Sequence, residues 1–258
     1  MGPVRELELV VLGNATPYPH PDRACSGYLV KSNKTTVWVD AGPGTLAELQ
    51  RFVGVLNVDA IWLSHLHVDH CADFLAMYFA LRFSSLHPER KIPALGPKGW
   101  PERFETFLKG ISPHHLDEAF QVHELGDELR AVVGDMTLHA FAVEHGVPSY
   151  ALRVEADGAV FTYSADTGPC RGVVAASQGA DLLLCEAGWG ARPEGTPPWH
   201  MTPAEAGEVA RRAGVKQLLL THLGADVVPE DAIASAREAF GRSVEIASAG
   251  QSYQVGQT

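Results

Sequence analysis

The sequence has few cysteines and no long apolar run. Its four cysteines, Cys25, Cys71, Cys170 and Cys185, form no Cys-x-x-Cys pair, so neither a disulfide framework nor a thiolate zinc site is expected. No apolar stretch approaches the roughly 20 residues that span a bilayer. Residues 1–10 carry acidic side chains where a signal peptide would be continuously apolar. We therefore expect a cytoplasmic protein that does not interact with a membrane.

The sequence also lacks an excess of basic residues. With 31 acidic and 20 basic residues, its formal net charge is −11. A surface of this charge repels polyanions at long range, so a long nucleic acid is not expected as a partner. A small anionic substrate is compatible with this charge, because cations bound locally in a pocket would attract it.

No repeat, low-complexity tract or linker divides the 258 residues. Strand-like and helical segments alternate in both halves of the chain. This pattern predicts one domain, residues 1–258, of the α/β class, in which two sheets pack together with helices outside as four αββα layers. The predicted strands are Leu7–Leu12, Gly27–Lys31, Thr36–Asp40, Val58–Ser64, Met136–Val143, Tyr150–Glu155, Val160–Ser164, Leu182–Cys185 and Gln217–Thr221. The predicted helices are Thr45–Phe52, Ala72–Phe83, Arg171–Gln178 and Thr202–Ala213.

A cluster of metal-binding side chains follows the fourth predicted strand. Residues 65–70 read HLHVDH, and imidazole and carboxylate groups are the ligands that catalytic zinc sites use. Alternate residues of an extended segment face the same side, so His65 and His67 can bind one ion. A turn at Asp69 and His70 would direct these two side chains at a second ion.

This segment resembles the HxHxDH signature of the metallo-β-lactamase superfamily. Three later residues match the rest of the superfamily pattern, each after a predicted strand: His145, Asp166 and His222. The resemblance covers nearly the whole chain and implies the four-layer αββα fold with two divalent ions, zinc or alternatively manganese. It implies that one ion is bound by His65, His67 and His145, the other by Asp69, His70 and His222, and that both are bridged by Asp166.

Two further segments resemble the ribonuclease Z branch of this superfamily. The helix start HMTPAEA begins at His200, and the segment CEAG, residues 185–188, resembles the HEAT motif with Cys185 in place of its histidine. A histidine near the metals but not bound to them can protonate a leaving alkoxide, and a carboxylate can orient it. We therefore take His200 as the candidate general acid, with Glu186 as its partner and Asp69 as a third catalytic candidate. A capping or packing role for His200 is the alternative.

These residues favour a phosphodiester substrate, because its poor leaving group needs a proton. The interval between His145 and Asp166 is too short for the arm with which ribonuclease Z enzymes grip tRNA. The remaining pattern looks closest to short bacterial cyclic-nucleotide phosphodiesterases, so we predict hydrolysis of a small phosphodiester such as 3′,5′-cAMP. The alternatives are a tRNA 3′-processing endonuclease and a hydrolase of a non-phosphate ester, lactone or thioester.

The sequence leaves two further points open. One is the oligomeric state, for which a homodimer is one possibility. The other is the role of Trp189 and Trp199, which flank the loop 190–198. These side chains could stack on a base at the mouth of a pocket or hold the loop in place.

Overall fold

Strands make up most of the regular structure in the computed structural model, which describes residues 7–110, 115–192 and 194–256. Residues 1–6 of the N-terminal segment and Pro193 of the loop 190–198 lie outside the described residues. In chain order, the strands are β1 (Leu7–Ala15), β2 (Ala24–Cys25), β3 (Gly27–Lys31), β4 (Thr36–Val39), β5 (Ala60–Trp62), β6 (Ile92–Pro97), β7 (Phe120–Leu125), β8 (Arg130–Val133), β9 (Met136–Val143), β10 (Ser149–Ala156), β11 (Ala159–Tyr163), β12 (Leu182–Glu186), β13 (Gln217–Thr221), β14 (Val244–Ile246) and β15 (Ser252–Val255).

Helices follow several of these strands. They are α1 (Thr45–Leu49), α2 (Val68–Phe83), α3 (Trp100–Leu108), α4 (Arg171–Ala176), α5 (Pro203–Ala213) and α6 (Pro229–Phe240), with short 3-10 helices at Val55–Asn57 and Leu116–Glu118. Within the described ranges, none of the helices has the length and apolar character that crossing a membrane requires.

The strands form two mixed sheets. The order in the first sheet is β15-β1-β3-β4-β5-β6-β7, with β2 beside β1, and the order in the second is β14-β13-β12-β11-β10-β9-β8. Each sheet has an antiparallel half and a parallel half, and the parallel halves run from β4 to β7 and from β11 to β14. Since the carboxyl ends of parallel strands meet at one edge, residues that follow β4, β5, β11, β12 and β13 can share one site.

The alternation of side chains along each strand builds the four layers. In β4, Val37 and Val39 join the core between the two sheets, whereas Trp38 packs on the outer side with residues of α1, α2 and α3. β12 divides in the same way between the central core and a third cluster that contains residues of α4, α5 and α6. The predicted αββα arrangement is confirmed.

Local signals in the sequence also correspond to observed features. Asp157 and Gly158 both have left-handed backbone angles, with φ of 49° and 74°, as a tight hairpin turn between β10 and β11 requires. The residues Thr202 to Glu205 form a capping box at the start of α5, because Thr202 Oγ1 accepts from the Glu205 backbone N–H and the Glu205 carboxylate accepts from the Thr202 backbone N–H.

One local prediction near the metal motif was wrong. Asp69 and His70 do not lie in a turn but in the first helical turn of α2, which begins at Val68, with His67 as its extended N-terminal cap residue. Cys71 packs in the outer core with apolar residues of 72–83, and an acidic residue such as Asp69 in the first turn interacts favourably with the helix dipole.

Candidate metal centre

The candidate site residues lie at the carboxyl ends of strands. His65 follows β5, Asp166 follows β11 and His222 comes directly after β13, while Glu186 is the last residue of β12. His145 follows the long strand β9. The parallel strand ends and the start of α2 therefore bring residues together that are up to 157 positions apart in sequence.

The possible ligand atoms form overlapping groups in which all atoms lie within 4.8 Å of one another. The groups are His65, His67, His145 and Asp166; Asp69, His70 and His222; and Asp166, His200 and His222. The first two groups contain the two sets named in the sequence analysis. Asp166 Oδ2 lies 3.8 Å from His65 Nε2 and 3.3 Å from His222 Nε2, so this carboxylate faces both groups. The third group adds His200, which belongs to neither of the two predicted ligand sets.

The arrangement of the donor atoms suits the binding of divalent cations better than hydrogen bonding among these atoms. Among the described residues, His65 Nε2 and Asp166 Oδ1 are buried without a hydrogen-bond partner. The Nε2 atoms of His70 and His222 face each other at 3.1 Å. Unpartnered buried polar atoms are costly, and a cation between these atoms would satisfy them. The residues present therefore fit the metal ions that the motif implies.

Burial governs the protonation of the more open group. Burial, together with the neighbouring His70, lowers the pKa of His65 well below its ordinary value. Burial also lowers the pKa of His67 and His145, against the opposing effect of Asp166. Low pKa values keep these rings neutral at pH 7, and the neutral imidazole is the form that binds a metal.

In the group of Asp69, His70 and His222, the neighbouring carboxylates have the main effect on the pKa of His70. Burial alone would lower the pKa of His70, but Asp166 and Asp40 outweigh it and raise this pKa well above its ordinary value. Burial would raise the pKa of Asp166, but His222 and His70 hold it well below the usual range. These opposite shifts mean that the site favours positive charge between the carboxylates, which is the charge that a divalent cation supplies.

Asp40, a buried residue directly after β4, was not among the predicted site residues. Its carboxylate accepts hydrogen bonds from the backbone N–H and the hydroxyl of Ser64, both 2.8 Å, and from the Tyr163 hydroxyl at 2.9 Å. It also accepts from His70 Nδ1 at 2.8 Å, because a carboxylate can only accept. This bond turns the lone pair of His70 Nε2 toward the other donor atoms, as carboxylates behind metal-bound histidines do.

The half-buried His200 and the buried Glu186 form a pair beside the two groups. His200 Nδ1 lies 2.9 Å from Glu186 Oε1 and 3.9 Å from Asp166 Oδ2. Burial raises the pKa of Glu186. Burial would lower the pKa of His200, but the hydrogen bond to Glu186 and the charges of Glu186 and Asp166 together outweigh it and raise this pKa. Cys185, in place of the histidine of the HEAT motif, faces the opposite way and packs in the outer apolar core.

The loop between β12 and α5 lies against this centre. The backbone carbonyl of Trp199 accepts a hydrogen bond from His145 Nδ1 at 2.8 Å, and His200 is the next residue. The preceding residue, Pro198, rests on Gly168, where any Cβ would collide with the Pro198 carbonyl oxygen. The loop therefore orients one candidate ligand and carries the candidate acid.

Comparison with known proteins agrees with this geometry. The model of the "Beta-lactamase superfamily domain" family matches residues 35–223. The chain is 34% identical to the uncharacterized protein Rv1339 of Mycobacterium tuberculosis, over 98% of this chain and 94% of the relative. It is 32% identical to the probable metallo-hydrolase YhfI of Bacillus subtilis, over 95% and 98% of the two chains. It is 31% identical to the ribonuclease Z of Mycolicibacterium gilvum, over 93% of each chain.

The solved structure of YhfI covers 97% of this chain and 99% of its own, with a TM-score of 0.85 and 29% identity. The chain therefore belongs to the β-lactamase superfamily, and its relatives are consistent with the ribonuclease Z-like branch. Within this family it is a metal-dependent hydrolase, as the names of its relatives and its clusters of histidine and aspartate indicate.

Proposed function

We propose that this hydrolase cleaves small phosphodiesters and that its substrate is a cyclic nucleotide such as 3′,5′-cAMP. The observation that carries the proposal is the 2.9 Å hydrogen bond between His200 Nδ1 and Glu186 Oε1. This bond leaves the other ring nitrogen, Nε2, to hold and deliver a proton. An alkoxide leaving group of a phosphodiester needs such a proton, and positioned proton transfer contributes roughly 10²–10⁴-fold to the rate.

Glu186 is suited to position His200 because its own carboxylate is fixed. Its Oε1 accepts from the Thr167 backbone N–H at 2.9 Å. Its Oε2 accepts from the N–H groups of Gly188 at 2.8 Å and Met201 at 3.2 Å. A carboxylate with this many backbone donors does not rotate freely, so the imidazole bonded to it is held in one orientation.

We assign the two metal ions to the ligand sets that the resemblance implies. One set is His65, His67 and His145, the other is Asp69, His70 and His222, and Asp166 bridges the two ions. Zinc suits the imidazole and carboxylate donors, and manganese is the alternative. When bound, two adjacent divalent ions would supply an activated water and stabilise the charge on the phosphoryl oxygens. Asp69 is held by the Thr16 hydroxyl, which donates to Asp69 Oδ2 at 3.1 Å. We propose that this carboxylate orients the attacking water and accepts its proton.

Two features support a small substrate over tRNA. Between His145 and Asp166 the chain contains β10, the turn at Asp157–Gly158 and β11, and no further segment that could form an arm. The net charge of −11 disfavours a long polyanion. A small anionic substrate is therefore the proposed partner.

A ribonuclease Z-type endonuclease is the second candidate. It is favoured by the 31% identity to the ribonuclease Z of Mycolicibacterium gilvum, which extends over 93% of both chains. Such an enzyme would have to bind precursor tRNA without the arm of its relatives, and its binding would fall steeply as salt rises.

Parallel assays of the metal-loaded protein distinguish these functions. The substrates are 3′,5′-cAMP, bis-p-nitrophenyl phosphate, precursor tRNA and a lactone. We expect hydrolysis of cAMP with the highest kcat/KM, slower turnover of bis-p-nitrophenyl phosphate, and none of the other two. Specific cleavage at the 3′ end of tRNA would support the second candidate, and turnover of the lactone alone would overturn the phosphodiester assignment.

A further inference from the structure

We infer that the indole of Trp199 is the surface on which the base of the substrate stacks. Trp199 would then determine specificity for phosphodiesters that carry a planar base. The inference rests on the proposed function and extends it, because it assigns a residue to the part of the substrate that is remote from the phosphorus.

Trp199 differs from the tryptophans of the cores. Trp38, Trp62 and Trp100 are 0% exposed, whereas Trp199 is 46% exposed. Indoles bury a large apolar area when they can, and those left at a surface are enriched where a partner binds. The exposed indole of Trp199 therefore indicates a binding role only in combination with its position in the fold.

Trp199 lies directly beside the metal centre. Its backbone carbonyl bonds His145 Nδ1, and its neighbour in sequence is His200. The indole covers Gly146, because a Cβ at that glycine would lie 3.5–3.7 Å from three atoms of the six-membered ring. Gly146 therefore lies against the six-membered ring, and the rest of the indole is exposed.

The other aromatic residues nearby are already engaged. Trp189 packs edge-on against His200, with ring centroids 5.4 Å apart and an interplanar angle of 66°. Tyr18 is exposed but packs on His20 at 4.6 Å. Among the described residues, Trp199 is therefore an exposed aromatic side chain whose backbone contacts a candidate ligand and whose neighbour in sequence is the candidate acid.

The chemistry of stacking predicts which substrates benefit. Every nucleobase has a π-face, and loss of one aromatic stacking partner reduces affinity by roughly 5- to 100-fold. Stacking strength follows ring area, so purines should gain more than pyrimidines. Adenine and guanine should gain equally from this contact.

The first test compares two substrates that differ only in the base. These are 3′,5′-cAMP and methyl riboside 3′,5′-cyclic phosphate, assayed with the wild-type protein and with Trp199→Leu and Trp199→Tyr. The leucine variant should raise KM for cAMP by roughly 5- to 100-fold, with unchanged metal content and little effect on the base-free substrate. Trp199→Tyr should restore most of the loss. Phe107→Leu, which changes an exposed aromatic residue of α3, is the matched control and should behave like the wild type.

Equal loss on both substrates, or no loss on either, would overturn the inference. Circular dichroism and metal content show whether Trp199→Leu is folded and loaded. If Trp199→Leu fails to fold, Trp199→Met takes its place in the comparison. A reduced preference for cAMP over the base-free substrate then supports the inference, whereas an unchanged preference overturns it.

The second test does not depend on turnover. Tryptophan fluorescence is titrated with adenosine 5′-monophosphate and with ribose 5-phosphate, which carry the same phosphate. We expect quenching and tighter binding for the nucleotide, both lost in Trp199→Leu. If the wild type does not hydrolyse cAMP, the proposed function fails, and this titration still decides the role of Trp199: equal binding of the two ligands contradicts it.

Discussion

The two candidate ligand groups differ in how they are enclosed. Asp69, His70 and His222 are 8%, 0% and 3% exposed. In the other group His67 is exposed and His145 half-buried. The buried group is supported by the carboxylate of Asp40, whereas His145 is supported by a backbone carbonyl in a loop.

This difference in enclosure predicts that the two groups differ in how tightly they hold a cation and how fast they exchange it. A buried group with a carboxylate behind one histidine should hold its cation tightly, since such partners increase the basicity of the ligand. The open group should exchange its cation faster, and we expect a substrate to enter from its side. Because Asp166 faces both groups, a change at Asp166 should affect the metal binding of both.

The largest effect should come from removing Asp166. Asp166→Ala should lower the occupancy of both groups and abolish activity, because one carboxylate faces both. Elemental analysis after purification without chelator should give close to two divalent ions per wild-type chain and clearly fewer in the variant. Asp117→Ala, at an exposed position of the second 3-10 helix, is the control. An unchanged metal content in Asp166→Ala would contradict the bridging assignment.

The next largest effect should come from His200. His200→Ala should keep its metal and lose roughly 10²–10⁴-fold in kcat on a substrate with an alkyl leaving group. With a p-nitrophenolate leaving group the loss should be much smaller, because this group departs without a proton.

Glu186→Gln should show the same selectivity in weaker form, since the amide still bonds His200. Loss of metal in His200→Ala would instead identify His200 as a ligand within its group with Asp166 and His222. An equal loss of rate on both substrates would indicate a structural role and remove the chemical basis of the phosphodiester proposal.

A moderate effect should come from Asp40. Asp40→Asn should lower the metal affinity of the buried group by roughly 10- to 100-fold, while the metal affinity of the open group stays unchanged. Asparagine tolerates the left-handed backbone of this residue, whose φ is 55°, so the fold should persist. Competition with a fluorescent chelator measures both affinities, and Asp59→Asn serves as control. Equal weakening of both ions would show that the two groups are not distinct.

The smallest effect should appear in the wild type. With a limiting amount of chelator, the metal should leave in two phases, the open group first. His145→Gln should remove the fast phase and Asp40→Asn should accelerate only the slow one. A single phase in all three proteins would mean that enclosure does not set the exchange rate.

Much of the site could be predicted because its ligands are dense or lie at strand ends. The run HLHVDH at residues 65–70 is unusual on its own, and His145, Asp166 and His222 each follow an apolar strand. The roles of these residues stay predictions, but the structure brings them together. The hairpin at Asp157–Gly158 was predictable because few residues accept both backbone angles.

Other parts were not predictable, for physical reasons. Asp40 is the last residue of the predicted strand Thr36–Asp40, just before the turn-forming run Ala-Gly-Pro-Gly, and a single aspartate at that position is not distinctive. Its function is decided by the pairing of β4 with β5, a contact between segments about 20 residues apart. Only its position after a strand, like that of His65, could have suggested it. The support that Trp199 gives to His145 comes from a carbonyl, which every residue has. The stretch with β6, α3 and β7 was unassigned because its short elements are interrupted by proline and glycine.

The missing side chain of Gly168 has a consequence for how the protein can evolve. The Pro198 carbonyl occupies the place of a Cβ, so any larger residue would lift the loop and move the Trp199 carbonyl and the His200 ring together. The proposed roles of Trp199, His145 and His200 would therefore change together in any variant that moves this loop. A variant with a larger residue at position 168 would need a different loop that restores the hydrogen bond to His145.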